Sequence, residues 1–177
     1  MKKPKKLFSS FLYLLPRFLL VGLLLFCVLL LVASNFDALE PHLTFLHASR
    51  ANQQPLSPHI TIGPYPHLDE MRQLKKEGFS GIISLLDNNL PQERALNNAE
   101  ERAAKLIGLD FWEVPLGYLP LRSSANQNAV DEVARILTSH PDKKIYIHCY
   151  LGRHRVELTR EILKDKGILG GQGVLPP

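Results

Sequence analysis

The spacing of apolar and polar residues changes along the chain, and each change predicts a new strand or helix. From residue 59 onward, short apolar segments with strand character alternate with segments whose apolar positions recur every three or four residues. The predicted strands are residues 59–63, 81–86, 110–114 and 144–148, and the predicted helices are residues 68–77, 91–107, 128–139 and 156–166. This alternation predicts an α/β fold, in which a mostly parallel sheet of about four strands is flanked by helices.

The first 34 residues follow a different pattern, because they have no polar face. Lysines in the first six residues precede an unbroken apolar run at residues 18–33. Together with residues 12–15 the apolar stretch reaches about 20 residues, which is long enough to cross a bilayer with Arg17 near the cytoplasmic face. We therefore predict one N-terminal transmembrane helix that anchors the chain. Small residues at positions 32–34 also fit a signal-peptide cleavage site, so removal of this segment stays an alternative.

The charges that flank the apolar run predict its orientation. Lysines precede it, whereas Asp37 and Glu40 follow it. Because positive residues are retained on the cytoplasmic side, we expect a cytoplasmic N-terminus and a domain on the far side, which is the periplasm in a bacterium. The chain then divides into a basic start and anchor (1–34), a juxtamembrane linker with three prolines (35–58), a domain (59–166) and a flexible tail (167–177). Apolar residues in the linker allow a short docking helix there.

Charge and cysteine content argue against a nucleic-acid-binding protein and against a disulfide-stabilised domain. The formal net charge is +4, but from residue 41 onward sixteen Lys and Arg face fifteen Asp and Glu, a difference of +1. A nearly neutral domain does not indicate a nucleic-acid surface. The two cysteines are Cys27, in the apolar run, and Cys149, so the domain has no disulfide framework.

The residues that could carry chemistry are concentrated after the last predicted strand. Its apolar run ends in His148 and Cys149, and five residues then separate Cys149 from Arg155 and the last predicted helix. The backbone N–H groups of such a loop and the helix N-terminus would form a concave anion site, to which Arg155 can add a bidentate fork. The same positive field favours the thiolate of Cys149, which would make it a nucleophile.

The pattern His148-Cys149, five residues and Arg155, with Gly152 inside the loop, resembles the signature of the protein tyrosine phosphatase superfamily, nearest its dual-specificity branch. The resemblance covers about residues 59–166, where ITIGPYP, GIISLLD and FWEVPL are similar to the family's early strands in order and spacing. It implies a minimal version of that fold, without metal or cofactor. It also implies a phosphatase in which Cys149 attacks phosphorus to form a cysteinyl phosphate. Arg155 and the loop amides would stabilise the phosphoryl oxygens, and His148 would orient the loop.

The resemblance also indicates which residues meet the substrate. The expected substrate-binding residues are Tyr150, Leu151, Gly152, Arg153 and His154. The basic pair Arg153 and His154 resembles the loop of lipid-directed members, so a phospholipid head group is a candidate substrate beside a phosphorylated protein. Arg153 can equally lie on a solvated rim of the loop. Tyr118 and Arg122 are expected to help shape the pocket.

Two departures from the family pattern affect turnover more than binding. The family places an Asp in the loop after the third strand to protonate the leaving group, but residues 115–128 (PLGYLPLRSSANQN) contain no carboxylate. General-acid help is typically worth about 10²–10⁴ in rate. Asp87 is the first substitute, ahead of Glu93 and Glu113, although a turn role competes with catalysis at Asp87. In the second departure, Val156 replaces the Ser or Thr whose hydroxyl helps the thiolate leave, and Glu157 follows it.

Three other interpretations of the same residues stay open. Without an acid or a hydroxyl, the loop can bind phosphate without hydrolysis, as in a pseudophosphatase. A lone reactive thiol also occurs in redox proteins and in rhodanese-like sulfur-transfer proteins, although His148 and Arg155 fit these less well. Finally, Cys149 can be an inert buried residue, with Arg155 on a solvated helix end.

Overall fold

The computed structural model describes residues 5–43 and 48–170. It begins with helix α1 (Lys5–Ser34), the short helix α2 (Phe36–Leu39) and a 3₁₀ turn (Glu40–His42). The elements that follow are β1 (Gln54–Ser57), β2 (Ile60–Pro64), α3 (Leu68–Lys76), β3 (Phe79–Ser84), α4 (Pro91–Ile107), β4 (Asp110–Glu113), α5 (Ser124–Ser139), β5 (Lys144–Cys149), α6 (His154–Asp165) and a 3₁₀ turn (Ile168–Gly170). The alternation of strands and helices predicted from residue 59 onward is confirmed.

The five strands form one sheet in the order β1-β2-β5-β3-β4. Strands β2, β5, β3 and β4 run parallel, and β1 is antiparallel to β2. At the end of the central strand β5, His148 lies between Gly63 and Ser84, and Cys149 lies beside Pro64. Because parallel strands end at the same edge of a sheet, the ends of β2, β3 and β5 meet around Cys149.

Helices cover both faces of the sheet. Because successive side chains of a strand point to opposite faces, the residues of β5 contact both helical layers. On one face, Ile145, Ile147 and Cys149 pack with the apolar residues of α5 and α6. On the other face, Tyr146 packs with residues of α3 and α4, which include Met71, Leu74 and Ala104. The domain is therefore a three-layer α/β/α sandwich, and consecutive residues of β5 reach different layers.

The sheet has five strands where about four were predicted, because β1 lies inside the segment predicted as a linker. Its sequence, Gln-Pro-Leu-Ser, lacks the apolar alternation of a strand, and Pro55 is tolerated there because β1 is an edge strand. The same segment contains α2, the short docking helix that its apolar residues allowed. The ring of Phe36 meets that of Tyr150 edge-on, with 6.1 Å between the centroids.

Helix α1 contains a 20-residue stretch of high mean hydropathy, Leu15–Ser34, in which Arg17 is the one charged residue and no residue is buried in the protein. By length and composition alone this stretch could cross a membrane, which is weak support for the predicted anchor. Its orientation and its retention or cleavage stay predictions. At the other end of the chain, most of the predicted flexible tail (residues 171–177) lies outside the described residues.

Candidate active site

The segment that carries Cys149 has the geometry that the motif predicted. Strand β5 ends at Cys149, a loop follows, and α6 begins at His154, which places Arg155 in the first helical turn. We call residues 149–155 the anion loop. The side chain of Cys149 is buried, with 4% of its surface exposed. The loop lies at the carboxyl edge of the sheet, where ligands bind in open α/β folds.

Gly152 fixes the shape of the anion loop. Its φ of +68° lies in the left-handed region, which side-chain-bearing residues rarely adopt. A Cβ atom at this position would lie 2.5 Å from the nitrogen of Pro64 and 2.6 Å from the carbonyl carbon of Gly63. The loop therefore rests directly on the backbone at the end of β2, and both its conformation and this close approach require glycine.

The peptide groups of the anion loop are oriented by contacts from outside it. The carbonyl oxygen of Tyr150 accepts a hydrogen bond from the amide of Tyr65 at 3.1 Å, and that of Leu151 accepts one from the amide of Ala51 at 2.9 Å. Within the described chain, the amide N–H groups of residues 150–153 donate no hydrogen bond. The carbonyls are thus held by the protein while the amides remain available, as an anion-binding loop requires.

The carboxylate of Glu93 binds the guanidinium of Arg155. Nη1 of Arg155 donates to Oε2 at 2.8 Å, and Nη2 donates to Oε1 at 2.6 Å, which makes a bidentate ion pair. Nη1 also donates to the carbonyl oxygen of Leu85 at 2.9 Å, and Arg155 is only 1% exposed. Burial alone would lower the pKa of Arg155, but the hydrogen bond and the charge of Glu93 raise it above its ordinary value. The guanidinium therefore stays charged.

One bidentate edge of Arg155 remains after Glu93 has taken the other. Nη2 directs its second hydrogen to the hydroxyl of Tyr118 at 3.3 Å, and the ring of Tyr118 lies 4.4 Å from the guanidinium carbon. Nε of Arg155 has no acceptor in the part of the chain that the structure describes. Nε and Nη2 together form the fork that a tetrahedral dianion can accept.

His148 points away from Cys149, into the layer of α3 and α4. It is fully buried, and its Nε2 lies 2.8 Å from Oε1 of Glu100, which is 1% exposed. The ring of Tyr146 stacks on it at 6.0 Å, and that of Tyr65 meets it edge-on at 5.8 Å. Burial raises the pKa of Glu100, and the neighbouring His148 offsets this only in part. The predicted role of His148 in orienting the loop stays a prediction, but its buried partner is a new finding.

Asp87, the first substitute for a general acid, has the contacts of a turn residue. Its Oδ1 accepts hydrogen bonds from the backbone and side-chain nitrogens of Asn89, both at 2.9 Å. Its backbone N–H donates to Oε2 of Glu93 at 2.6 Å. Glu113, another of the three candidates, accepts a hydrogen bond from Asn88 at 2.5 Å. Glu93 is thus engaged by Arg155 and Asp87 by its own turn, and the role of Asp87 as an acid stays a prediction.

The basic residues of the anion loop are exposed on its outer side. Arg153 and His154 line a cavity of about 220 Å³ between the loop and α6, together with Leu121, Arg122, Glu157, Leu158 and Glu161. Arg122 is already paired with Glu161 at 2.6 Å. Neither Arg153 nor His154 has an ion-pair partner among the described residues, so both remain available to a negatively charged ligand.

The segment after α1 reaches the anion loop, which the sequence did not predict. Glu40, which is 2% exposed, accepts a hydrogen bond from the hydroxyl of Tyr150 at 3.3 Å. Its other carboxylate oxygen lies 3.3 Å from Nδ1 of His67. Together with the contact between Phe36 and Tyr150, these interactions tie residues 36–42 to the anion loop.

The described residues contain no cluster of three or more His, Cys, Asp or Glu that could hold a metal ion.

The comparisons with known proteins concern the fold. No family model and no curated protein matches the chain. A solved structure described as "Putative phosphatase (DUF442)" from Shewanella putrefaciens CN-32 is similar, with 15% identity, a TM-score of 0.56, and coverage of 72% of this chain and 85% of the other. The core catalytic domain of the PP-IP phosphatase SIW14 from S. cerevisiae matches with 16% identity, a TM-score of 0.48, and coverage of 71% and 80%. The chain thus has the α/β fold of the Shewanella protein.

Proposed function

We propose that this protein is a phosphoric monoester hydrolase with Cys149 as its nucleophile. The observation that carries the proposal is the state of Arg155, which is buried, is held charged by Glu93, and keeps a second bidentate edge, Nε and Nη2, whose one acceptor among the described residues is the hydroxyl of Tyr118. An arginine fixed in advance binds a dianion without first losing side-chain freedom. The fold shared with the Shewanella protein, whose description is "Putative phosphatase (DUF442)", supports the same activity.

The proposed reaction has two steps. The thiolate of Cys149 attacks phosphorus, so the S–P bond forms as the P–O bond to the leaving group breaks. The amides of the anion loop and Arg155 stabilise the phosphoryl oxygens. Water then attacks the cysteinyl phosphate, and the thiolate and inorganic phosphate leave. Because Val156 offers no hydroxyl to the second step, we expect this step to limit turnover and to produce a burst of the first product.

Two substrate classes fit the site, a phosphorylated protein and a phospholipid head group. Arg153 and His154, exposed on the outer side of the anion loop, can pair with further negative charges of a substrate. A dual-specificity phosphatase is the class that the loop resembles most. We propose in addition that α1 is a single-pass membrane anchor, with the N-terminus in the cytoplasm and the domain on the far side, in the periplasm of a bacterium. The unburied apolar stretch and the lysines before it support this placement.

The test is hydrolysis of p-nitrophenyl phosphate by the full-length chain in detergent micelles. This substrate has a good leaving group, so weak general-acid help does not hide activity. We expect the wild type to turn over and Cys149→Ser to be inactive. Cys27→Ser, the same substitution at the exposed cysteine of α1, serves as the control and should behave as the wild type. A wild type no more active than Cys149→Ser would refute the hydrolase.

A pseudophosphatase is the second candidate, because residues 115–128 contain no carboxylate and Val156 has no hydroxyl. In that case the wild type would bind tungstate, an inert phosphate analogue, without hydrolysing any monoester. Calorimetric titration of the wild type and of Arg155→Lys distinguishes specific from unspecific binding. Lysine cannot reproduce the bidentate fork, so tungstate binding at the anion loop should weaken in this variant under either function.

A further inference from the structure

Tyr118 is the residue of the loop after β4 that touches the arginine of the anion loop. One hydrogen of Nη2 of Arg155 is taken by Glu93, so the hydrogen given to Tyr118 points to the Nε side of the guanidinium. The hydroxyl of Tyr118 therefore lies at the edge that a phosphate dianion would occupy. The side chain is 45% exposed, so a ligand in the anion loop can reach it.

The hydroxyl of Tyr118 is also free to act as a donor. It accepts a hydrogen bond from Arg155, and its own hydrogen has no acceptor among the described residues. The loop that holds it, residues 115–123, has no carboxylate, and Asp87 and Glu93 are engaged elsewhere. Tyr118 is thus a proton-bearing side chain in direct contact with Arg155.

We propose that Tyr118 is the catalytic acid that protonates the leaving group. The inference rests on the proposed hydrolase function and names the residue that supplies the missing proton. When a phosphate monoester occupies the anion loop, its oxygens replace the hydroxyl of Tyr118 as acceptors of Nη2. The hydroxyl then donates to the oxygen of the leaving group.

The protons balance over the two steps. As the P–O bond breaks, its electron pair passes to the leaving oxygen, which takes the proton of Tyr118 and departs as an alcohol. Tyr118 is then a phenolate beside the guanidinium of Arg155, which stabilises its charge. In the second step the phenolate takes a proton from the attacking water, the P–S bond breaks, and hydrogen phosphate leaves. The thiolate of Cys149 and the neutral Tyr118 are restored.

The environment keeps Tyr118 protonated until the reaction begins. Burial raises the pKa of Tyr118 above its ordinary value of 10.0, and the positive charge of Arg155 offsets this only in part. Glu93 and Cys149, the other titratable groups that face it, act in the same direction as burial. A carboxylic acid in this place would lose its proton at acidic or neutral pH, whereas Tyr118 keeps its proton into the alkaline range.

The experiment compares leaving groups. The kcat/KM of full-length wild type and Tyr118→Phe, which reports the first chemical step even where the second step limits turnover, is measured with p-nitrophenyl, phenyl and benzyl phosphate, whose leaving groups need a proton to an increasing degree. We expect the loss in Tyr118→Phe to grow along this series and to reach about 10²–10⁴-fold with benzyl phosphate. Phenylalanine keeps the ring over Arg155, so tungstate affinity should stay close to that of the wild type. Tyr65→Phe is the matched control, because its hydroxyl lies 3.5 Å from the carbonyl oxygen of Leu96, and its dependence on the leaving group should equal that of the wild type.

The possible outcomes distinguish three cases: Tyr118 donates the proton, Tyr118 only positions Arg155, or the protein is not a hydrolase. An equal loss with all three esters, or no loss, would overturn the proposal, because positioning of Arg155 does not depend on the leaving group. A steeper dependence on the leaving group in Asp87→Asn than in Tyr118→Phe would make Asp87 the proton donor.

The pH dependence is a second measurement. With benzyl phosphate, the wild-type rate should hold through neutral pH and fall only in the alkaline range. In Tyr118→Asp that fall should move to lower pH. If wild type and Cys149→Ser are equally inert with every ester, the hydrolase itself fails, and Tyr118 with it.

Discussion

Glu93 and Arg155 form a buried ion pair that joins the first turn of α4 to the first turn of α6, with Oε1 2.6 Å from Nη2. The two side chains are 6% and 1% exposed, so water replaces neither partner. The pair holds the guanidinium next to the anion loop in a fixed orientation. Stability and anion binding should therefore depend on the same carboxylate.

Replacing Glu93 tests this dependence. Glu93→Ala leaves the buried guanidinium without its counter-charge, which typically costs about 3–5 kcal/mol of unfolding free energy. Urea unfolding followed by the fluorescence of Trp112, the single tryptophan, measures this cost. Tungstate affinity should fall as well, because Arg155 is no longer held in place.

The control for this experiment is Glu157→Ala. Glu157 pairs with Arg160 at 2.6 Å, but both side chains are about two-fifths exposed. Solvent screening limits such a pair to about 1 kcal/mol or less. Equal losses in Glu93→Ala and Glu157→Ala would mean that the pair with Arg155 does not hold the site together.

We expect Gly152→Ala to cost more unfolding free energy than the left-handed backbone conformation of residue 152 accounts for. A left-handed conformation costs an alanine about 1–2 kcal/mol. At Gly152 the new Cβ also meets the backbone of Pro64 at 2.5 Å, so the loop has to move off the end of β2. We expect a larger loss of stability than 2 kcal/mol by urea unfolding, together with loss of tungstate binding.

Gly78→Ala separates the two causes. Gly78 has a φ of +86°, but no atom lies within 4 Å of a Cβ built there. This variant should show the cost of the conformation and leave tungstate binding intact. Similar losses in both variants would show that the close approach to Pro64 contributes nothing.

The sequence predicted the elements well where packing and local pattern agree. Residues 91–107 were predicted as a helix and form α4 with the same ends, because Pro91 starts it and Gly108 ends it with a φ of +77°. Helix α5 begins at Ser124, four residues before its apolar pattern, because Ser123 caps it by accepting the amide of Asn126 at 3.1 Å. Strand β1 was missed, since an exposed edge strand with a proline carries no apolar alternation.

The candidate site was predictable only in part, because its parts come from distant segments. The order of His148, Cys149, Gly152 and Arg155 indicated a loop before a helix, and the structure has it. The partners of Arg155 and His148 lie on α4, at Glu93 and Glu100, about sixty and about fifty residues earlier, and no local pattern pairs them. One signal was available for Glu100, which stands four residues from both Leu96 and Ala104 on the buried face of α4. A charged residue on an apolar face requires a partner, and here the partner is His148.

The raised pKa of Glu100 predicts how stability depends on pH. A carboxyl group whose pKa is higher in the folded than in the unfolded state binds more protons when folded. Its contribution to stability is complete below the ordinary value of 4.5 and is lost as pH rises through the folded value. The wild type should therefore lose stability relative to Glu100→Gln as pH rises above 4.5, measured by urea unfolding of both proteins over a pH series. Parallel curves for the two proteins would mean that Glu100 titrates as in the unfolded chain.

Glu40 should couple the segment after α1 to the anion loop. Glu40→Ala removes the acceptor of the Tyr150 hydroxyl and the carboxylate beside His67, and the loss of a typical hydrogen bond costs about 0.5–1.5 kcal/mol. We expect faster hydrogen–deuterium exchange in residues 36–42 and in residues 150–153, with α5 unchanged, and weaker tungstate binding. Asp37→Ala is the control within the same segment and should change little, because the carboxylate of Asp37 lies 3.8 Å from the guanidinium of Arg102, which is mostly exposed to solvent. Faster exchange confined to residues 36–42 would show that the segment docks on the domain without supporting the anion loop.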